Sequence, residues 1–331
     1  MAGENPAFFL IEKEAVLYYN RGMEKSYILG IGAANVDVNG KSRKPLIMKD
    51  SNPGIMNVSV GGVTRNVLEN VSRLGLPCKL VSAIGGDLYG KLILQQCEVC
   101  GIDTSHALMV NDDVSSTYMA ILNDDGDMAL AVSDMHVINA LNVEEIKKRD
   151  ELIEKAELVT FDPCLAEETI AYLTAHYGHK KLFCDPVSSA YALRLRPYLS
   201  HIHTLKPNRM ELAILAEHTT ETDEDLLKAC QIVIDKGVRR LFVSLGKEGT
   251  FYYDAEGNQT RASLKPVDHV VSASGAGDSF MAGVIYSTVH EFDIPTTLKY
   301  ALASGSIALM AKGANNPELS VNKIREIIER G

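Results

Sequence analysis

The segment Val271-Ser272-Ala273-Ser274-Gly275-Ala276-Gly277-Asp278-Ser279-Phe280 gathers residue types suited to handling an anion. Gly275, Ala276 and Gly277 carry almost no side chain, and the apolar spacing of Phe280, Met281, Val284 and Ile285 predicts a helix that starts there. Backbone N–H groups at a helix start point outward without intrahelical partners, beside the positive end of the helix dipole. The Gly275, Ala276 and Gly277 segment is therefore a candidate anion hole. Asp278, in the first turn, is a candidate base, because a carboxylate is expected to be held ionised there and able to accept a proton. A loop that offsets developing negative charge beside such a base suits phosphoryl transfer to a hydroxyl, where positioning and electrostatics do most of the work. Taken alone, a glycine-rich turn capped by Asp fits the same residues.

Other polar residues stand in comparable places. Ile28 to Asp37 reads as an apolar strand ending in Asn35 and Asp37, two positions apart and so facing the same way, a pair able to clamp vicinal hydroxyls. Gly61 and Gly62 open a second helical pattern (Val67, Leu68, Val71, Leu74) and permit close backbone approach. Asn66 can reach a hydroxyl from that helix's first turn, while Arg65 either faces the site or is solvated. Asp185 follows Leu182-Phe183-Cys184, where it either touches a ligand or begins an Asp-Pro turn. Lys206, Asn208 and Glu211 follow one strand-like run, and Ser244, Gly246 and Gly249 follow the next.

In this order and spacing, from about Tyr27 to the C-terminus, the chain resembles the ribokinase-like (PfkB) family of small-molecule kinases. Both signature segments are present, around Gly61–Asn66 and Val271–Phe280, with Asn208-x-x-Glu211 between them. The resemblance implies an ATP-dependent kinase in which Asp278 is the general base beside the Gly275, Ala276 and Gly277 hole. It implies substrate contacts from Asn35, Asp37, Gly61, Gly62, Arg65, Asn66 and Asp185, ATP contacts from Lys206, Asn208, Ser244, Gly246 and Gly249, and Mg2+ held by Glu211 through water. Ser116–Ile121, Ser133–His136, His201–Pro207 and Asn315–Ser320 are further similar to the pseudouridine kinases of the family. They imply the 5'-hydroxyl of pseudouridine as acceptor, with Thr117 and Asp134 reading the base. The motifs also fit a kinase for ribose, another nucleoside or another sugar. A non-catalytic sensor has no need of Asp278, and a Rossmann dehydrogenase lacks its Gly-x-Gly-x-x-Gly after the first strand. The chain departs from the family at Ser272 and Ala273, where Asp followed by Thr or Ser usually helps build a monovalent-cation site. This puts K+ activation in doubt, although carbonyls around Ser274 and Gly313 remain available.

The elements that must position these residues follow from patterning. The chain has 331 residues, of which 46% are hydrophobic, enough for one large α/β domain at 26–331 with a short appendage at 1–25, where Ala7 to Tyr19 fits an amphipathic helix. Strand-like runs at Tyr27–Ala33, Lys79–Ile84, Leu158–Phe161, Lys181–Cys184, Ile202–Leu205 and Arg240–Leu245 alternate with helical patterns. The expected fold is therefore α/β, with a mostly parallel central sheet and helices on both faces. Segments 37–61 and 112–135 break the pattern, the second as a hairpin of Thr117–Leu122 and Met128–Val132, and together they are expected to form a small β-sheet lid through which a homodimer assembles. The net charge of −10 argues against a nucleic-acid partner. No apolar run approaches the roughly 18 residues of a membrane span and no secretory leader is evident, so no membrane partner and a cytoplasmic location are expected. Cys97-x-x-Cys100 lacks a second pair or a nearby His and is read as two small core residues.

Overall fold

The computed structural model describes residues 26–265, 267 and 270–330. The expected appendage at 1–25 lies outside them. Nine strands form one sheet in the order Gln259–Ala262, Thr250–Asp254, Arg240–Ser244, Thr204–Leu205, Leu182–Cys184, Leu158–Phe161, Ile28–Ile31, Cys78–Val81 and Ile102–Asp103. The seven strands from Arg240–Ser244 to Ile102–Asp103 run parallel, and the other two close one edge antiparallel. Strand alternation divides the core into two layers: Leu29 and Ile31 pack on one side of the sheet, while Ile28 and Leu80 pack on the other. The second layer holds α1 (Val63–Arg73) and α2 (Ala276–Val289), which pack together.

The run expected at Lys79–Ile84 divides at Ser82. Cys78–Val81 joins the large sheet, and Ala83–Gly85 pairs with Leu108–Val110 in a separate two-stranded ribbon. A second difference concerns Asn35 and Asp37. The first strand stops at Ile31, and these two residues begin the following strand, Asn35–Ser42, which belongs to a different sheet. The turn is imposed at Ala33, whose N–H bonds the Asp162 carboxylate at 2.9 Å in place of a strand partner.

That different sheet has four strands in the order Gly54–Gly61, Asn35–Ser42, Thr117–Leu122 and Met128–Asp134. Its register fixes which side chains share a face. Asp37 stands opposite Ser59 and Tyr118, and Tyr118 opposite Ser133. Val36 stands opposite Val60 and Thr117, and Thr117 opposite Asp134. Residues in register share a face while successive residues alternate, so Thr117 and Asp134 lie on the face opposite Asn35 and Asp37.

Candidate active site

Gly275 turns the chain into α2 with φ 75°, and a side chain there would lie 1.6 Å from the Ala314 carbonyl oxygen, so only glycine fits. The first intrahelical bond runs from Ser279 N–H to Gly275 C=O at 2.9 Å. The N–H groups of Ala276, Gly277 and Asp278 precede it and face the anion-hole side of the turn.

Asp278 is buried, at 8% exposure, and its Oδ2 accepts a 3.0 Å hydrogen bond from Asn66 Nδ2 on α1. The helix start was expected to hold this carboxyl ionised; burial, reinforced by the charge of Asp185, instead pushes its pKa up to about 7, against the opposing effects of Asn66 and Lys206. Lys206 is buried with Nζ 2.8 Å from Asp185 Oδ2. Burial disfavours its charge, but Asp185 outweighs that and holds its pKa above the ordinary value. The ammonium lies against the anion-hole turn, 3.0 Å from where a side chain on Gly277 would begin.

Of the two roles foreseen for Asp185 the structure shows the turn, where Oδ1 accepts from Val187 N–H at 2.9 Å after the strand end, while Oδ2 pairs with Lys206. Asn35 Nδ2 donates to Asp37 Oδ1 at 2.7 Å, so the two act as one unit. Burial raises the Asp37 pKa, against the hydrogen bond from Asn35 and the charge of Arg65. A side chain on Gly61 would meet Asp37 Oδ2 at 2.2 Å, and Gly62 caps α1 at φ 100°.

Asn208 and Glu211 form a reciprocal capping box at the Arg209–Ala216 helix, with Glu211 N–H to Asn208 Oδ1 at 2.9 Å and Asn208 N–H to Glu211 Oε2 at 2.8 Å. Burial, with Asp185 nearby, raises the Glu211 pKa. Asn208 bridges to Ser244 at the end of the next strand, and Gly246 and Gly249 follow in a tight turn.

Two expectations are corrected. Arg65 does not offer a free cation to the cleft: its buried Nη1 pairs with Glu69 Oε2 at 2.6 Å and lies 3.2 Å from Asn66 Oδ1, so it braces Asn66 from behind. Thr117 and Asp134 do not line the Asp37 face. Thr117 bonds the Ser115 carbonyl at 3.0 Å, and exposed Asp134 pairs with His136 Nδ1 at 2.5 Å.

Sequence reading missed two residues. Asp162 is fully buried and accepts from Ala33 N–H, Thr64 N–H, Thr64 Oγ1 and Cys164 N–H, tying the start of α1 to the turn before Asn35. Its signal was available: Phe161-Asp162-Pro163 repeats the strand-end Asp-Pro of Cys184-Asp185-Pro186. Asn315, which opens the Asn315–Ser320 stretch but was given no role there, donates to Glu69 Oε2 at 2.7 Å and to Asn66 Oδ1 at 3.3 Å, a long-range contact that the stretch itself does not reveal.

The family description "pfkB family carbohydrate kinase" matches residues 25–321, and the chain belongs to this family. Its central sheet, its separate small sheet and its helix-start aspartate thus sit in an ATP-dependent phosphotransferase that acts on an alcohol group of a sugar or nucleoside. The pseudouridine kinase of Escherichia coli (strain K12) is 34% identical over 92% of this chain and 97% of that protein. The structure of Arabidopsis thaliana ribokinase complexed with ribose and ATP superposes with TM-score 0.82 at 21% identity, covering 92% of this chain and 99% of that one. An E. coli structure described as ribokinase II, in complex with ATP and Mg2+, superposes with TM-score 0.78 at 21% identity over 92% and 100% of the two chains.

Proposed function

We propose that the protein transfers the γ-phosphoryl group of ATP to the 5'-hydroxyl of pseudouridine. The observation that carries the chemistry is the buried Asp278 carboxyl at the start of α2, held by Asn66 and adjoined by the Lys206 ammonium. A pKa near 7 suits a general base at neutral pH, where proton acceptance and a sufficient ionised fraction coexist. Asp278 Oδ1 takes the proton of the attacking hydroxyl while Asn66 retains Oδ2. The N–H groups of Ala276 and Gly277, with Lys206, face the charge that develops on the transferring group. Asn35 and Asp37, with the backbone at Gly61 and Gly62, hold the ribose hydroxyls. Asn208, Ser244, Gly246 and Gly249 receive the nucleotide.

Glu211 supplies an oxygen donor whose Oε2 is already engaged by Asn208, a setting that fits a hydrated Mg2+ held through water. Magnesium there would neutralise phosphate charge. The pseudouridine assignment is supported by the relative at 34% identity. Single-turnover phosphorylation of pseudouridine, uridine, ribose and other sugars tests it. Selectivity of at least tenfold for pseudouridine is expected, and equal or better use of ribose refutes the substrate while leaving the kinase.

The small sheet acts as a lid over the sugar, as one part of a single kinase domain. Its second face carries Met56, Val58, Met119, Leu130 and Val132, between 43% and 62% exposed. A second copy of the chain covers that face in a homodimer.

A further inference from the structure

We propose that the nucleobase is read by Tyr118 and Ser133, which stand one and two strands beyond Asp37 on the same face of the small sheet. The inference rests on the reading of the substrate as a nucleoside. It begins with register: Asp37 is opposite Tyr118 and Tyr118 is opposite Ser133, so the three side chains make one row across the sheet. Side-chain contacts agree with this parity. A side chain on Gly61 would meet Asp37, its diagonal neighbour on this face, whereas one on Gly40 would meet Met56 Sδ at 3.0 Å and Ile121 Cδ1 at 3.4 Å, both on the other. Tyr118 Oη reaches Met128 Sδ at 3.4 Å, and Met128 is in register with Leu122, four residues along from Tyr118 and so on its face.

The two faces differ in chemistry as well. The row Ser59, Asp37, Tyr118 and Ser133 is polar on one face, while the adjoining row Val58, Val38, Met119 and Val132 is apolar on the other. Strands are spaced by about 4.8 Å, so a ligand whose sugar sits at Asp37 meets the Tyr118 ring next and the Ser133 hydroxyl last. Sugar, ring and outer base edge follow one another in that order in a nucleoside. The Tyr118 ring is half-buried and offers an aromatic surface for a base to pack on. Its hydroxyl donates to a thioether, a weak acceptor that a base carbonyl replaces with gain. Ser133 is exposed, and its hydroxyl both donates and accepts, so it can accept from the ring N–H that pseudouridine has and uridine lacks.

The test compares kcat/KM for pseudouridine, uridine and ribose in wild type, Tyr118→Leu, Ser133→Ala and Thr117→Val. Tyr118→Leu is expected to raise KM for pseudouridine at least about tenfold, the loss of one base–aromatic contact, with ribose changed less than about twofold. Ser133→Ala is expected to narrow the pseudouridine-over-uridine ratio by about tenfold, the effect of one unmatched polar group. Thr117→Val, on the other face, is expected to leave both ratios in place. Selectivity that survives Tyr118→Leu and Ser133→Ala, or that is lost in Thr117→Val, overturns the proposal and leaves the pseudouridine reading intact. A wild-type enzyme that prefers ribose overturns both. Should Tyr118→Leu fail to fold, Tyr118→Phe, which keeps the ring, reads the hydroxyl and Ser133→Ala reads the row; unchanged selectivity in both is the overturning result.

Discussion

Asn66 Nδ2 lies 3.0 Å from Asp278 Oδ2 and joins residues 212 positions apart. The amide can face only one way. Its Oδ1 receives Arg65 Nη1 at 3.2 Å and Asn315 Nδ2 at 3.3 Å, so a flipped amide would set its oxygen against a carboxylate and its NH2 against two donors. Asn66 therefore occupies one carboxylate oxygen and leaves Oδ1 for the substrate. The Asp278→Asn variant should lose at least about 10²-fold in kcat, the low end for a positioned proton transfer, with ATP affinity nearly unchanged. Near-normal turnover would remove Asp278 as the base.

The same contact sets a pH dependence. Burial and Asp185 raise the Asp278 pKa to about 7, so the carboxyl is protonated and inactive below that value and active above it. In the free enzyme, kcat/KM should fall about tenfold per unit as pH drops below about 7. The Asn66 hydrogen bond favours the ionised form, so Asn66→Ala should move this limb to higher pH. A limb that stays fixed or moves down in Asn66→Ala contradicts the assignment.

How far the site was legible in sequence depended on whether its signals were local. Gly275 to Asp278 could be read because it stands in order with Gly61–Asn66 and Asn208-x-x-Glu211 rather than alone, and Leu158–Phe161 could be read because a short apolar run between helices has little choice but the sheet centre. The face of Thr117 and Asp134 could not. A shift of one residue reverses every side chain in a strand, and the register depends on where Val36 falls, which the turn at Ala33 and its bond to Asp162 decide. Nor could a local pattern reveal that Arg65 is neutralised: Glu69 one turn on is visible, but the burial that makes the pair matter comes from packing.

Arg65 should thus behave as a bracing residue. Glu69 is also held by Arg73 at 2.6 Å and by Asn315, and together with Arg65 they hold its pKa below the ordinary value despite burial. Removing Arg65 leaves a buried carboxylate with weaker compensation. Arg65→Leu should lower stability by about 3 kcal/mol, the low end for breaking a buried pair because Arg73 remains, as measured by urea denaturation. Its KM for the nucleoside should change far less than that of Asp37→Ala. A large KM effect with unchanged stability would return Arg65 to direct substrate binding.

Ser272 stands where the family resemblance leads one to expect an acidic cation ligand. Its hydroxyl accepts from Ser274 N–H at 3.1 Å, and Val271 N–H bonds the Leu309 carbonyl at 2.8 Å. The loop is therefore tied by neutral bonds that need no cation charge. Exchange of K+ for a large organic cation should leave most of the activity in place. Loss of most activity on that exchange would show that carbonyls alone build an effective cation site here.

The homodimer prediction follows from the second face of the small sheet. Val36 and Val38 on that face are buried against the body of the protein, whereas Val132 and Met56 farther out are each 62% exposed. Apolar side chains in register over four strands form a contiguous patch, of the kind that marks an association surface. Val132→Lys places a charge at its outer strand, where pairing would desolvate the ammonium without a partner. The wild type should sediment as a dimer, and Val132→Lys should weaken association by at least about tenfold, or about 1.4 kcal/mol. Because Val132 faces away from Asp37 and Tyr118, kcat should survive to the extent that the monomer's lid still closes. Dimers of unchanged affinity in Val132→Lys would place the interface elsewhere.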